Sequence, residues 1–175
     1  MKKIIILIFS IAFSSQVFAN YSAVLEYGIS GVENHSVTSS PKVGILYNSN
    51  SWNTEISWQH WSTKDGNQRY GDNGLGDNWL YFGKNIYSID FRKNIFQNGK
   101  LSYFLGSGVS ALEMRRLDRS QNESISLHRF LVNISAMVSY KFSKIIDVRL
   151  SSIGSVAPPI NPLFGALNMG IKVKF

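Results

Sequence analysis

The sequence predicts an all-β chain closed into an eight-stranded antiparallel transmembrane β-barrel. Three observations predict it. Stretches of about ten residues alternate apolar and polar side chains, the period of a strand with one oily face. The connections between them are short and long in turn, as in barrels with tight turns on one side of a membrane and longer loops on the other. Beyond the N-terminal segment, no run is apolar for the roughly 20 residues that a membrane-crossing helix needs.

The chain opens with Lys2 and Lys3, an apolar run from Ile4 to Phe13, and the small-residue end Val17-Phe18-Ala19. A charged start, an apolar core of about ten residues and an alanine at the cut mark a secretory signal. Residues 1–19 are expected to be a signal peptide and residues 20–175 a single barrel domain.

In chain order the expected strands run over about 21–30, 41–49, 51–61, 77–91, 101–117, 124–141, 145–153 and 164–175. Polar loop 31–40 joins the first two, and the turn Asn48-Ser49-Asn50 leads into the third. There Ile56 and Trp58 share a phase with His60 and Ser62, while Glu55, Ser57 and Gln59 take the other side. Loop 62–76 leads to a fourth strand, where Asp77 shares a phase with Trp79 and Tyr81. The turn Gln97-Asn98-Gly99 opens the fifth, whose Gly106-Ser107-Gly108 relieves crowding in a strand wall. In the sixth, Phe130, Val132, Ile134, Ala136, Val138 and Tyr140 stand on one face, long enough for a tilted strand to cross a bilayer. Val148 and Leu150 alternate with Asp147, Arg149 and Ser151 in the seventh. In the eighth, Leu167, Met169, Ile171, Val173 and Phe175 oppose Ala166, Asn168, Lys172 and Lys174.

A soluble periplasmic β-sandwich would alternate similarly, but it gives less reason for large apolar residues on one face of every strand. In lipid every backbone polar group must be paired, so the sheet is expected to close. Trp52, Trp58, Trp61, Trp79, Tyr81, Tyr87, Tyr103 and Tyr140 lie near strand ends, as interfacial girdles require. Glu55, Lys84, Asp90, Arg129, Asp147 and Arg149 are expected to form a charge network plugging a lumen too narrow for a wide pore.

Composition excludes several functions. With 44% apolar residues and 17% charged, the chain is neither a disordered tail nor a polyanion-binding arm. Its net charge of +7 includes Lys2 and Lys3, and the remaining excess is spread thinly, so no nucleic-acid partner is expected. The absence of cysteine removes disulfides, thiolate metal sites and a cysteine nucleophile. His35 falls in a loop and His128 is in phase with Phe130, neither beside another ligand. No metal and no cofactor are therefore expected.

The chemistry that remains is nucleophilic. A serine needs a base to take its proton, and the base needs an acid to hold its tautomer. Two residues apart on one strand face, His60 places its imidazole about 6–7 Å from the Ser62 Cα, and Asp77 is the candidate acid. The competing reading is an aromatic-belt histidine beside a loop serine. Loop glycines Gly66, Gly71, Gly74 and Gly76 supply either backbone N–H groups for an oxyanion or simple flexibility.

His60-Trp61-Ser62-Thr63, Asn73-Gly74-Leu75 and Asp77 resemble the motifs of the lipid A 3-O-deacylase (PagL) family of small outer-membrane barrels. The resemblance implies an esterase with Ser62 as nucleophile, His60 as base and Asp77 as orienting acid, acting on an acyl chain of lipopolysaccharide. In that family the motif occupies the penultimate strand, where this chain carries Ser152 and Gly154, followed by Ile160-Asn161-Pro162. Phe175 after an alternating strand resembles the signal read by the barrel-assembly machinery. The expectation is therefore a protein of the bacterial outer membrane, partnered by lipid A and membrane lipids, with a homodimer left open. Its function is either hydrolysis of lipid A or the noncatalytic surface binding and envelope role of OmpX-like and OmpA-like barrels.

Overall fold

The computed structural model describes residues 20–32, 37–49, 51–61, 79–118, 123–156 and 164–175. Eight strands follow in order: β1 (Tyr21–Val32), β2 (Thr38–Asn48), β3 (Trp52–His60), β4 (Trp79–Asn98), β5 (Leu101–Asp118), β6 (Glu123–Lys141), β7 (Ile146–Val156) and β8 (Phe164–Lys174). Each pairs antiparallel with the next, and β1 pairs with β8, so the sheet is a closed barrel. The sandwich alternative is thereby excluded. The expected signal peptide lies outside the described residues.

Short turns gather at one end, between β2 and β3, β4 and β5, and β6 and β7. Gly99 turns the β4–β5 corner with φ 56°, a left-handed conformation that glycine adopts without a Cβ penalty. In the β6–β7 turn, the Ser143 hydroxyl accepts from the Ile146 N–H at 3.0 Å. Strand β4 runs seven residues beyond the expected end at 91, because it continues to the tight turn at Gly99.

The alternation is borne out face by face. Ile45, Ile56, Ile89, Val109, Val132, Ile134 and Met169 stand exposed on the outer wall. At the short-turn end this belt is bordered by Trp52, Phe96, Tyr140, Phe142 and Phe175, all exposed. Toward the long-loop end it is bordered by Tyr27, Tyr87 and Phe130. A bulge between Asn94 and Phe96 explains why Ile95 and Phe96 both turn outward.

Inside, buried polar and charged side chains fill the lumen. Glu55 takes Lys42 at 2.6 Å, Arg92 at 2.8 Å and Arg149 at 2.6 Å. Glu26 binds Arg149 at 2.7 Å and Lys42 at 3.1 Å, and Arg92 also reaches Asp90 at 3.3 Å. The plug thus contains the expected Glu55, Asp90 and Arg149, together with Glu26, Lys42 and Arg92. Asp147 belongs to a separate pair of bridges nearer the short-turn end, to Lys172 at 2.6 Å and Lys174 at 2.8 Å. The Lys84 side chain lies outside the described residues.

Above the charges, toward the long-loop end, Trp61, Ile86, Leu112, Leu131, Phe164 and Ala166 form an apolar cluster inside the barrel. Trp61 is fully buried and meets Phe164 edge-on at 6.3 Å. Its expected place in the outer girdle is corrected by strand parity. Gln59 is inward, so the residue two further along is inward too.

Candidate functional site: a polar row on the outer wall

His60 ends β3 on the outward face, as its phase with Ile56 and Trp58 predicts. Register then fixes its neighbours. His60 pairs with Asn85 of β4, Asn85 with Glu113 of β5, and Glu113 with His128 of β6. Parity turns all four outward. Ile86 and Leu112 beside them are buried in the lumen, and Tyr87 and Phe130, in phase with Asn85 and His128, are exposed. A continuous polar rung therefore crosses four strands of an otherwise apolar wall.

Hydrogen bonds tie three members of the rung together. The Asn85 Nδ2 donates to Glu113 Oε2 at 2.7 Å. Its Oδ1 accepts from the Trp58 indole N–H at 3.1 Å and lies 3.4 Å from His60 Nδ1. Trp58 also stacks on His60, with ring centroids 6.1 Å apart. The imidazole is thus held from two sides, by a ring face and by an amide that is itself held by a carboxylate.

The placement of the rung has a physical logic. Polar side chains facing hydrocarbon are costly, so they are expected at the level of lipid headgroups or in use there. Counting along β3, His60 lies eight residues from Trp52, the girdle residue at the other end. At about 3.3 Å per residue and the usual barrel tilt, that approaches the roughly 25 Å height of an apolar belt. One rung below, Trp58, Tyr87 and Phe130 belong to the lining of a mainly apolar hollow of about 630 Å³ that extends across β1 to β6, with Leu25, Ile45 and Ile89 also along it.

Of the expected triad, Ser62 and Asp77 lie outside the described residues, so the structure places His60 alone. The expectation that Asp77 shares an outer face with Trp79 and Tyr81 falls on side chains outside the described residues. A register shift between Gly83 and Asn85 moves the strand's parity by one residue. Among the described residues, Asn85 is the side chain beside His60 Nδ1. Ser152 and Gly154 occupy β7 between the inward Ser151, Ile153 and Ser155, which places both on the outer face. A Cβ at Gly154 would meet nothing within 4 Å.

Sequence reasoning missed Asn85 and Glu113. Each was legible as an outward residue by phase, Asn85 with Tyr87 and Glu113 with Val109. What sequence alone did not supply was the register that brings them to one rung with His60 and His128. Among the described residues no group of His, Asp and Glu side chains is disposed to hold a metal ion.

No family model and no curated protein matches the chain. Solved structures do. Neisserial surface protein A is similar at 13% identity, over 89% of this chain and 96% of that one, with a TM-score of 0.63. The N-terminal β-barrel domain of Pseudomonas aeruginosa OprF is similar at 14% identity, over 89% and 98%, with a TM-score of 0.59. Ail, the attachment invasion locus protein of Yersinia pestis, is similar at 14% identity, over 89% and 96%, with a TM-score of 0.56. By closed topology, outward apolar belt and these neighbours, the fold is that of the small outer-membrane eight-stranded β-barrels.

Proposed function

We propose that the protein resides in the bacterial outer membrane and acts as a noncatalytic barrel that engages lipopolysaccharide on its outer wall. The observation that carries this reading is the hydrogen-bonded rung of His60, Asn85 and Glu113, continued by His128, above an apolar hollow. Transport through the lumen is disfavoured by the buried ion network and the apolar cluster above it. The noncatalytic reading is further supported by the fold, shared with a surface protein and an attachment protein.

Hydrolysis of a lipid A ester is the second reading. It is favoured by one feature, a histidine held from two sides at the outer end of a strand, two residues before Ser62. Mass spectrometry of lipid A from cells expressing the wild type, Ser62→Ala and Asn85→Ala separates the two. Under the noncatalytic reading the three spectra are identical, while lipopolysaccharide binding by the purified barrel weakens in Asn85→Ala. Loss of one hydroxyacyl mass with the wild type alone would replace that reading by the deacylase one.

A further inference from the structure

The short-turn end of the barrel is strongly cationic, and the rung at the opposite end does not use it. Lys100 lies in the β4–β5 turn, Lys141 closes β6, and Lys172 and Lys174 close β8. Lys144 adds a fifth charge in the β6–β7 turn. Asp147 is the acidic side chain among the described residues of this end, and it is occupied by both Lys172 and Lys174. Lys100 and Lys141 meet no carboxylate among the described residues. They are held side by side, because the Lys141 N–H donates to the Lys100 carbonyl at 2.8 Å.

Lys100, Lys141 and Lys174 border a small polar cleft of about 200 Å³ at the mouth of the lumen, together with Gln97, Ser102, Ser139 and the Asp147 carboxylate. Strand parity explains why the cleft faces the lumen mouth and not lipid. Ser139 and Asp147 are inward and buried, and Lys141 and Lys174 share their phases. Three lysines, Lys100, Lys141 and Lys174, against the one Asp147 carboxylate leave a formal charge of +2 in the lining of the cleft, and Lys172 bridges to the same carboxylate. The volume is below the roughly 300–1,000 Å³ of pockets that take whole small molecules, so it suits a single charged group. Lysine ammonium groups are compact point charges with three donors each, and they attract a multiply charged oxyanion most strongly.

We propose that this mouth is a binding site for a phosphate group, presented either by free phosphate or by the headgroup of an anionic lipid at the barrel rim. Lys100 and Lys141 are its principal donors, and Asp147 competes with the ligand for Lys174. A site of this make-up prefers phosphate over chloride at equal ionic strength. It loses affinity when Lys100 and Lys141 are neutralised, and gains affinity when Asp147 is neutralised.

The test uses the folded barrel in nanodiscs of neutral phosphatidylcholine, titrated with inorganic phosphate and followed by phosphorus NMR line broadening, with sodium chloride as the ionic-strength control. Saturable binding should weaken by about tenfold or more in Lys100→Gln/Lys141→Gln, as loss of charge-assisted hydrogen bonds implies. It should be retained in Lys100→Arg/Lys141→Arg and tightened in Asp147→Asn. A second arm replaces part of the lipid with phosphatidylglycerol. Saturation by lipid alone assigns the phosphate to a headgroup, and saturation by inorganic phosphate in neutral discs assigns it to the free ion. Unchanged affinity in the double glutamine variant, verified as folded by its heat-modifiable migration, overturns the proposal. So does the absence of saturable binding in both arms, or saturation by carboxylate-bearing cell-wall peptides with none by phosphate.

Discussion

Glu55 stands where three cations converge, with Lys42, Arg92 and Arg149 all within 2.8 Å of its carboxylate and every partner fully buried. The carboxylate is what makes so much positive charge tolerable in a narrow lumen. Removing one member of a buried ionic cluster strands the others, and such losses typically cost about 3–5 kcal/mol. Glu55→Ala is accordingly expected to lower stability by about that amount in urea unfolding from lipid vesicles. A loss below about 1 kcal/mol, the scale of exposed pairs, would show that water or rearrangement screens the cations. The polar rung outside offers a contrasting case. Asn85 joins Trp58, His60 and Glu113 without burial in the lumen, so Asn85→Ala should leave stability nearly unchanged while altering lipid binding.

At the scale of strands, the lumen imposes its own sequence rules. Asp90 and Arg92 on β4 lie opposite Gly108 and Gly106 on β5. A Cβ at Gly106 would sit 1.9 Å from the Phe91 carbonyl oxygen, and one at Gly108 would sit 2.1 Å from that of Ile89. The strands approach closely here, leaving room inside for the charged side chains. Gly106→Val is expected to abolish the heat-modifiable folded form on electrophoresis, and normal folding would refute the close approach. On the outer face, Ile134 is 68% exposed in the middle of β6. Ile134→Arg should cost about 2–4 kcal/mol in lipid, as expected for a cation near the bilayer midplane. A neutral effect would contradict the outward assignment.

For the whole molecule, the charged plug and the apolar cluster above it predict a closed conduit. Planar-bilayer recordings of the folded protein should show no steady conductance, and regular current steps would mean that the plug yields. Strand identity and facing were legible in the sequence because period-two alternation is strict wherever one side meets apolar surroundings. That is why Glu55, Ile134 and Asn168 fall on the expected sides. What the sequence did not disclose depends on register and on bulges. The shift between Gly83 and Asn85 shows only in the pairing of β4 with β5. Glu26 and Lys42 meet through the register of β1 with β2, and closure of the sheet brings Arg149 of β7 to Glu55 of β3. Trp61 misled by its chemistry, since an aromatic at a strand end suggests a girdle, whereas its parity turns it inward.

Seven of the eight joints in this ring link consecutive strands, and the last joins β1 to β8 from Ser22 opposite Lys174 to Val32 opposite Phe164. A chain emerging from its N-terminus must hold the first strand's free edge in waiting until the final one is delivered. A copy cut short before Phe164 would present two ragged rims of bare amides and carbonyls that hydrocarbon cannot satisfy. Only a chain able to zip this last seam leaves no rim of its sheet unpaired.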